Sequence, residues 1–280
     1  MLLIALAGLS SVALATPEAP TVDAAASLRV LTLNVAHGRK DGPNQLLQST
    51  VQLRKNLGSI GDLFTEREPD VVALQEADGP SRWSGGFDHV RLLADRGNFP
   101  WRFRGDHAEG WLARYGTALL SRMPFQATQS LKFAPTLPTP TKGFVIGELP
   151  WPGGQPASLP GQVPDKVDVV SVHLDYLSTA ARERQVDDLA RVLARRANPV
   201  IVLGDFNSNW DDPNSAVKRL AEDAGLASYE PEAAALPTFG DRRLDWILIS
   251  PEFRFRSYQV LPEVVSDHQA VMADIGLAAE

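Results

Sequence analysis

Short apolar runs separated by amphipathic segments recur along the whole chain and predict an alternation of strands and helices. The apolar runs, which are rich in β-branched residues, stand at 28–34, 70–74, 116–121, 144–149, 168–172, 200–203, 244–249 and 270–275. Runs of this length are typical of strands buried in a sheet. Helical spacing of apolar residues marks 48–66, 88–96, 180–197 and 213–224, the last opening with Pro213. The order of these elements predicts an α/β fold.

The run Val200–Leu203 leads directly into Gly-Asp-Phe-Asn at 204–207. In an extended chain Asp205 and Asn207 would point the same way, while Phe206 between them would point back into the core. A carboxylate and an amide at the carboxyl end of a buried strand suit a hard cation or a polarised water. Asp and Asn are also ordinary turn residues, so this stretch alone leaves a simple strand end as an alternative.

Polar side chains stand at the ends of several other predicted strands, either just after a strand or, for Asp267 and His268, just before one. They are Asn34, Glu76, His173 and the pair Asp267 and His268, and Asp245 is embedded in the strand 244–249. Each alone is typical of a capping or structural residue. Because ligands of α/β proteins bind beyond the carboxyl ends of strands, this many oxygen and imidazole groups together predict one functional site there.

Composition narrows the functional classes. The chain has 280 residues, of which 44% are hydrophobic and 22% charged, as expected for a globular protein. Its net charge of -7 does not attract polyanions, which disfavours nucleic acid as a partner without excluding it. The absence of cysteine excludes disulfides and thiolate chemistry.

The N-terminus has the pattern of an export signal. Residues 2–14 are almost all apolar or small, and Ala-Leu-Ala at 13–15 precedes Thr16 and Pro17. An apolar segment of this length with a small-residue cleavage site predicts a signal peptide over 1–15, and therefore a secreted or periplasmic protein. No Lys or Arg precedes the apolar run, so an uncleaved anchor or a buried helix stays open. Residues 16–26, rich in Ala, Pro and Thr, are predicted to be a disordered lead-in.

Seven short motifs together resemble the endonuclease/exonuclease/phosphatase superfamily, the class of DNase I, apurinic endonucleases, neutral sphingomyelinases and inositol polyphosphate 5-phosphatases. The motifs are Leu-Asn-Val at 33–35, Leu-Gln-Glu at 74–76, Ala-Leu-Leu-Ser-Arg at 118–122, Val-His-Leu at 172–174, Gly-Asp-Phe-Asn at 204–207, Leu-Asp-Trp-Ile-Leu at 244–248 and Ser-Asp-His at 266–268. They occur in the family's order across residues 28–276. The resemblance implies a four-layer α/β/β/α sandwich of two packed mixed sheets, forming one catalytic domain over 27–280.

The resemblance also implies a metal-dependent site. Asn34, Glu76 and Asp267 resemble the family's ligands for Mg²⁺, with Mn²⁺ as an alternative. Oxygen ligands suit such an ion, which neutralises the charge of a phosphoester that would otherwise repel an attacking anion. Lys142, which precedes the strand at 144–149, could reach a substrate phosphate.

Five further residues resemble the family's catalytic groups. Asp205 resembles the group that positions or deprotonates water, and Asn207 the group that orients water and phosphate. His173 resembles the phosphate-binding histidine. His268 with Asp245 resembles the histidine–carboxylate pair at the scissile phosphate, where the carboxylate fixes the imidazole tautomer. The sequence leaves open whether Asp205 or His268 is the base.

Three functions are compatible with these residues. The first is an exported Mg²⁺-dependent phosphoesterase acting on a small or lipid-like phosphodiester or phosphomonoester. The second is a secreted endonuclease of the DNase I kind, and the third, a remote alternative, is a non-catalytic binding module. No obligate protein partner is evident. His37, His89 and His107 are predicted to be loop or surface residues. Contacts at the rim of the site are an alternative, since the loop after Asn34 lies near the site in the family that the chain resembles.

A membrane-surface contact is also possible from the distribution of aromatic residues. The predicted aromatic rim comprises Trp83, Phe87, Trp101, Phe103 and Trp111. Residues 130–165, with Phe133, Phe144 and Trp151, are predicted to form a hairpin that could face a membrane.

Overall fold

The computed structural model describes residues 26–42, 44–110, 112–152, 164–231 and 236–278, and within them twelve strands and four α-helices follow one another. The strands are β1 (Ser27–Asn34), β2 (Val71–Asp78), β3 (Trp101–Glu109), β4 (Arg114–Ser121), β5 (Ala127–Lys132), β6 (Gly143–Pro150), β7 (Lys166–His173), β8 (Val200–Asp205), β9 (Ala227–Ser228), β10 (Asp245–Ile249), β11 (Phe253–Val260) and β12 (Val271–Leu277). The helices are α1 (Thr50–Arg67), α2 (His89–Arg96), α3 (Thr179–Leu193) and α4 (Ala216–Ala224). The predicted signal peptide, nearly all of the predicted lead-in and Trp111 lie outside the described residues.

The strands form two six-stranded sheets. The first has the order β11-β12-β1-β2-β4-β3, and the second has the order β5-β6-β7-β8-β10-β9. Each contains one parallel pair, β1 with β2 and β7 with β8, among antiparallel neighbours. In both sheets a helix connects the two parallel strands, as a parallel connection requires. The two sheets are therefore mixed, as predicted.

Three apolar layers hold the sandwich together. The layer between the sheets contains Val30, Leu119, Val169 and Ile201, from strands of both sheets. A second layer packs α1 and α2 on the outer face of the first sheet, and a third packs α3 and α4 on the outer face of the second. Because strand side chains alternate between faces, each sheet contributes to two layers. This arrangement confirms the predicted four-layer α/β/β/α sandwich.

A capping residue precedes the first residue of each α-helix and defines where the helix begins. The side chains of Ser49, Asp88, Ser178 and Ser215 each accept a hydrogen bond from a backbone N–H in the first turn. Ser215 caps α4 through the N–H of Lys218 at 3.2 Å, so the prediction that this helix opens at Pro213 is wrong. Helix α3 ends at Leu193, four residues before the predicted end at 197.

The strands that the apolar pattern did not predict are β3, β5, β9 and β11, which form the four edges of the two sheets. Edge strands bury less surface, and most side chains of β5 are exposed. Their sequences therefore lack the continuous apolar run that marks a central strand. Trp101 and Phe103, predicted to belong to an aromatic rim, lie in β3.

The predicted membrane-facing hairpin is wrong for the part of the chain that the structure describes. Strands β5 and β6 do pair as a hairpin, but Phe133, Phe144 and Trp151 are 3%, 1% and 2% exposed. These side chains are core residues and cannot contact a bilayer. Residues 153–163 of the same region lie outside the described residues. No described helix combines the length and apolarity needed to cross a membrane.

Candidate active site

Three predicted site residues lie side by side across the second sheet. His173 at the end of β7 pairs in register with Asp205 at the end of β8, and Asp205 pairs with Asp245 at the start of β10. Asn34 ends β1 of the first sheet and reaches across to Asp205. The strand ends of both sheets therefore meet at one end of the sandwich, which places the candidate site there.

Asp205 is the centre of this cluster. Its Oδ2 accepts a hydrogen bond from Asn34 Nδ2 at 3.0 Å and lies 3.4 Å from His173 Nε2 and 3.9 Å from His268 Nε2. Its Oδ1 accepts from the backbone N–H of Asn207 at 2.9 Å. Burial is the main influence on this carboxyl and raises the pKa of Asp205 to about 6, although His268 opposes the shift.

The backbone of the Gly-Asp-Phe-Asn segment requires a glycine at its first position and has a positive φ at its last. Gly204 has φ of 153°, and a Cβ there would lie 2.0 Å from the carbonyl oxygen of Val172. Phe206 is fully buried, as predicted. Asn207 was predicted to be extended, but its φ is 49°. Its Nδ2 donates to the carbonyl of Leu174 at 3.1 Å. Asn accepts this left-handed conformation more readily than most residues do.

His268 and Asp245 form the hydrogen-bonded pair that the resemblance implies. Nδ1 of His268 lies 2.8 Å from Oδ2 of Asp245, which also accepts the hydroxyl of Thr238 at 2.7 Å. The Phe239 ring covers the imidazole at a centroid distance of 4.7 Å. Burial lowers the pKa of His268, but the neighbouring carboxylates, Asp245 above all, outweigh burial and raise it to about 10. In this arrangement the imidazole is held as a cation.

Glu76 lies in an irregular stretch of β2. Pairing with β4 is interrupted between Leu74 and Ala77, and Glu76 has φ of 52°. Its Oε2 is 3.3 Å from Nε2 of His37. Burial by itself would raise the pKa of Glu76. The nearby basic side chains, His37 and Lys142 above all, outweigh burial and lower this pKa to about 2. Glu76 is therefore an ionised carboxylate at the site.

Two contacts join the segment around Asp267 to the strand that carries Asn34. Ser266 donates its hydroxyl to the carbonyl of Asn34 at 2.7 Å, and Asp267 forms an ion pair with Arg39. Arg39 and His37 both belong to the turn that follows Asn34. This turn therefore contacts Asp267 through Arg39 and Glu76 through His37.

Two groups of residues could hold a cation. The predicted set of Glu76, Asn34 and Asp267 offers only oxygens, and the Glu76 and Asp267 side chains are each 20% exposed, so water can reach them. A hard cation that keeps part of its water shell fits such a set.

Among the described residues, Asp205, Asp245 and His268 form a second group, with ligand atoms within 4.8 Å of one another. In that group Nδ1 of His268 and Oδ2 of Asp245 are already engaged with each other. The second group also includes a nitrogen ligand, whereas Asn34, Glu76 and Asp267 offer the oxygens that a hard divalent metal prefers, so the first set fits such a metal better.

Lys142 completes the set of predicted residues at this end. It is 5% exposed, and its Nζ donates to Nε2 of His173 at 3.1 Å. Burial lowers the pKa of Lys142, while Glu76 and Asp205 counteract the shift. Burial and then Lys142 hold the pKa of His173 well below its ordinary value, so this imidazole is neutral. All nine predicted site residues thus lie at the same end of the sandwich.

A buried polar network lies beneath the site. Gln75 donates its side-chain amide to Thr32 at 3.2 Å and to Ser171 at 3.1 Å, and the Ser171 hydroxyl donates to the carbonyl of Leu74 at 2.9 Å. Gln75 is fully buried and bridges the two sheets. The Gln of the Leu-Gln-Glu motif therefore joins the sheet that carries Glu76 to the sheet that carries His173.

His37, His89 and His107 were predicted to be loop or surface residues, and the surface part of this prediction is wrong. They are 7%, 0% and 3% exposed. His37 contacts Glu76 and belongs to the site, in line with the alternative of a rim contact, whereas the roles of Thr238 and Phe239 were missed by sequence reasoning. The sequence signal that could have identified His37 was its position, three residues after Asn34 and directly before Gly38. A histidine in a polar loop has no local pattern that distinguishes burial from exposure.

Comparison with solved structures shows the same fold in several proteins. An endonuclease/exonuclease/phosphatase from Beutenbergia cavernae shares 22% identity, with a TM-score of 0.69 over 91% of this chain and 72% of that one. The human Nocturnin catalytic domain with bound sulfate shares 18% identity, with a TM-score of 0.65 over 90% and 95%. A mannosyl-6-phosphatase from Bacteroides thetaiotaomicron shares 14% identity, with a TM-score of 0.63 over 89% and 99%.

The sequence itself carries the family assignment. No curated protein matches the chain significantly by sequence. The profile of the Endonuclease/Exonuclease/phosphatase family matches residues 31–268, which include every predicted site residue. The chain therefore belongs to the endonuclease/exonuclease/phosphatase family and is a metal-dependent hydrolase of phosphoric ester bonds.

Proposed function

We propose that this protein is a Mg²⁺-dependent phosphoesterase that hydrolyses a small or lipid-like phosphoester by in-line attack of water. One observation carries the proposal. The carboxylate oxygen Oδ2 of Asp205 accepts a hydrogen bond from Asn34, a member of the oxygen ligand set, and also lies within 4 Å of the imidazoles of His173 and His268. A water bound beside this carboxylate would have a proton acceptor within reach.

Asn34, Glu76 and Asp267 are the residues that would hold the metal. When bound, a divalent ion supplies charge neutralisation for the phosphoryl oxygens and for the departing oxygen. The all-oxygen set supports Mg²⁺, and Mn²⁺ accepts the same ligands. The positive φ of Glu76 supports this role, since backbone strain of this kind is frequent at functional sites.

The chain's own groups divide the remaining work. Asp205 contacts Asn34 and lies close to both imidazoles, so we assign it as the acceptor of the water proton, and the backbone N–H of Asn207 fixes its orientation. Asp245 holds His268 by Nδ1, which directs Nε2 toward the phosphoryl group. We assign the binding of phosphoryl oxygens to His173 and Lys142, whose Nε2 and Nζ atoms lie 3.1 Å apart. Phosphoryl transfer asks a protein mainly for such positioning and charge.

The charge distribution supports a small or lipid-like substrate over a nucleic acid. Several cations at the catalytic end already pair with carboxylates, namely Arg39 with Asp267, Arg114 with Asp106, Lys132 with Glu109 and Arg242 with Asp212. A nuclease needs unpaired basic groups along its groove, and the net charge is -7. The fold also occurs in a protein named as a mannosyl-6-phosphatase, which acts on a small ester.

Hydrolysis of a substrate panel tests the proposal. The protein would be assayed with Mg²⁺ and with chelator on bis-p-nitrophenyl phosphate, hexose 6-phosphates, sphingomyelin, phosphoinositides and plasmid DNA, each beside Asp205→Ala. We expect metal-dependent turnover of a small or lipid ester that the substitution abolishes. Plasmid nicking without turnover of the other substrates would instead establish a nuclease. Turnover unaffected by the substitution would overturn the assigned site.

We also propose that the protein is exported, on the strength of the apolar segment at 2–14 and the small residues at 13–15. The test is expression of the full chain in a Gram-negative host, followed by fractionation and N-terminal sequencing. Recovery from the periplasm with a new N-terminus near Thr16 is expected. Full-length protein confined to the cytoplasm would contradict export.

A further inference from the structure

His37 lies between two carboxylates and has an acceptor at each ring nitrogen. Its Nδ1 is 2.8 Å from Oδ1 of Asp78, and its Nε2 is 3.3 Å from Oε2 of Glu76. Asp78 is fully buried, and its second oxygen is 3.9 Å from His89 Nδ1. The imidazole therefore connects a carboxylate fixed in the core to Glu76, the partly exposed carboxylate of the site.

The surroundings of His37 leave its ring few alternative orientations. Tyr115 and Trp83 both meet it edge to face, at centroid distances of 4.7 Å and 5.5 Å. The side chain reaches this position because Ala36 and His37 both have positive φ, 47° and 53°. Such a conformation is unfavourable for these residues and is retained where the surrounding structure compensates for it. The compensating contacts of His37 are the two carboxylates and the two rings.

We propose that His37 is a positioning residue for the metal site, which orients the carboxylate of Glu76 for a divalent cation through a hydrogen-bond chain anchored on Asp78. The inference rests on the proposed function, because it takes Glu76 as a metal ligand. Substitution of a residue that hydrogen-bonds to a metal ligand and orients it typically lowers metal affinity by about 10- to 100-fold. His37 itself touches neither the metal nor the substrate in this assignment.

Two substitutions separate this role from a merely structural one. Asn places an amide near the position of Nδ1, so His37→Asn keeps the link to Asp78 but is too short to reach Glu76. Gln places an amide near the position of Nε2, so His37→Gln keeps a donor for Glu76 and loses the link to Asp78. Asn also tolerates positive φ better than most residues, so His37→Asn is expected to fold.

The experiment measures the Kd of Mg²⁺ and Mn²⁺ for the full chain by titration calorimetry, and the Tm in chelator. His107→Gln serves as the matched control, since His107 is another buried histidine and is not in contact with Glu76. Glu76→Gln gives the reference for a lost ligand. We expect His37→Asn to raise the Kd about tenfold or more, with Tm in chelator close to that of the unsubstituted protein. His37→Gln is expected to retain more of the affinity, and His107→Gln all of it.

Turnover against Mg²⁺ concentration provides a second readout. Saturating Mg²⁺ should restore most of the kcat of His37→Asn, because the substitution weakens metal binding and leaves the reacting groups in place. Unchanged metal affinity in His37→Asn, or equal losses in both variants together with lowered Tm, would overturn the inference. If Glu76→Gln binds metal normally, the proposed function fails at its ligand set. Weak binding in Glu76→Gln with normal binding in His37→Asn removes only the role of His37.

Discussion

The imidazole Nδ1 of His268 lies 2.8 Å from Oδ2 of Asp245, and that oxygen also accepts the hydroxyl of Thr238. The carboxylate therefore stabilises the protonated imidazole and fixes the direction of the ring, so that Nε2 points toward Asp205. The pairing of β8 with β10 fixes the positions of the two carboxylates, since Asp245 and Asp205 are register partners in these neighbouring strands. The hydrogen bond between His268 and Asp245 therefore links the segment that precedes β12 to the second sheet.

We expect Asp245→Asn to lower kcat by about 10²- to 10⁴-fold, the range that a positioned proton-transfer group contributes. An amide keeps the shape but removes the charge that holds His268 by Nδ1. Steady-state kinetics on the substrate identified by the panel measures the effect. Thr238→Val is the matched comparison, because it removes the second donor to Asp245 and leaves the carboxylate, so its loss should be smaller. Equal losses from the two substitutions would contradict the assignment.

Metal affinity should distinguish the two candidate ligand groups. Glu76→Gln is expected to weaken Mg²⁺ binding by two orders of magnitude or more, since it replaces a charged oxygen ligand by a neutral one. Asp245→Asn should leave the Kd of Mg²⁺ within about threefold, because Asp245 is engaged with His268 and Thr238. Calorimetric titration of both variants decides the point. The reverse pattern would place the metal among Asp205, Asp245 and His268.

Gly204 should resist any side chain. The nearest atom to an added Cβ is a backbone oxygen, Val172 O at 2.0 Å, which cannot move without breaking the pairing of β7 with β8. We therefore expect Gly204→Ala to lower the free energy of unfolding by more than about 3 kcal/mol. Gly225→Ala is the control, because Gly225 also has positive φ (64°) but nothing lies within 4 Å of its added Cβ. Its cost should be about 1 kcal/mol. Denaturant unfolding measures both, and similar costs would refute the explanation.

The acid stability of the protein should depend on His107. Burial lowers the pKa of His107 to about 3 from its ordinary 6.5, so the unfolded chain binds more protons than the folded one between these values. The stability from this group is complete above pH 6.5 and is lost as pH falls toward 3, by at most about 1.4 kcal/mol per pH unit.

His107→Gln removes the titration and keeps a side chain able to bond with Thr117. Denaturant unfolding at pH 7.5, 6 and 5 should show a flatter decline for the variant than for the unsubstituted protein. Parallel declines in the two proteins would mean that His107 titrates alike in the folded and unfolded chains, and that burial does not lower its pKa.

Much of the fold could be predicted from the sequence, because central strands and amphipathic helices carry their burial in a local pattern. The run Val200–Leu203 and the polar residues that follow it were sufficient to place β8 and the centre of the site. The edge strands β3, β5 and β11 were missed since their side chains are partly solvated. Local chemistry also misplaced the start of α4, where the cap Ser215 overrides the preference for Pro at a helix start.

Sequence by itself determined which side chains end the buried strands and, through seven motifs in order, to which family the chain belongs. Only the tertiary structure decided how they meet. Asn34 and Asp205 are 171 positions apart and bond at 3.0 Å, and His37 is enclosed between Glu76 and Asp78 in a segment with no apolar pattern. Periodicity along a chain encodes which face of an element is buried. It does not encode which distant strand end will lie opposite, because that depends on the order of strands in the sheets and on the packing of one sheet against the other.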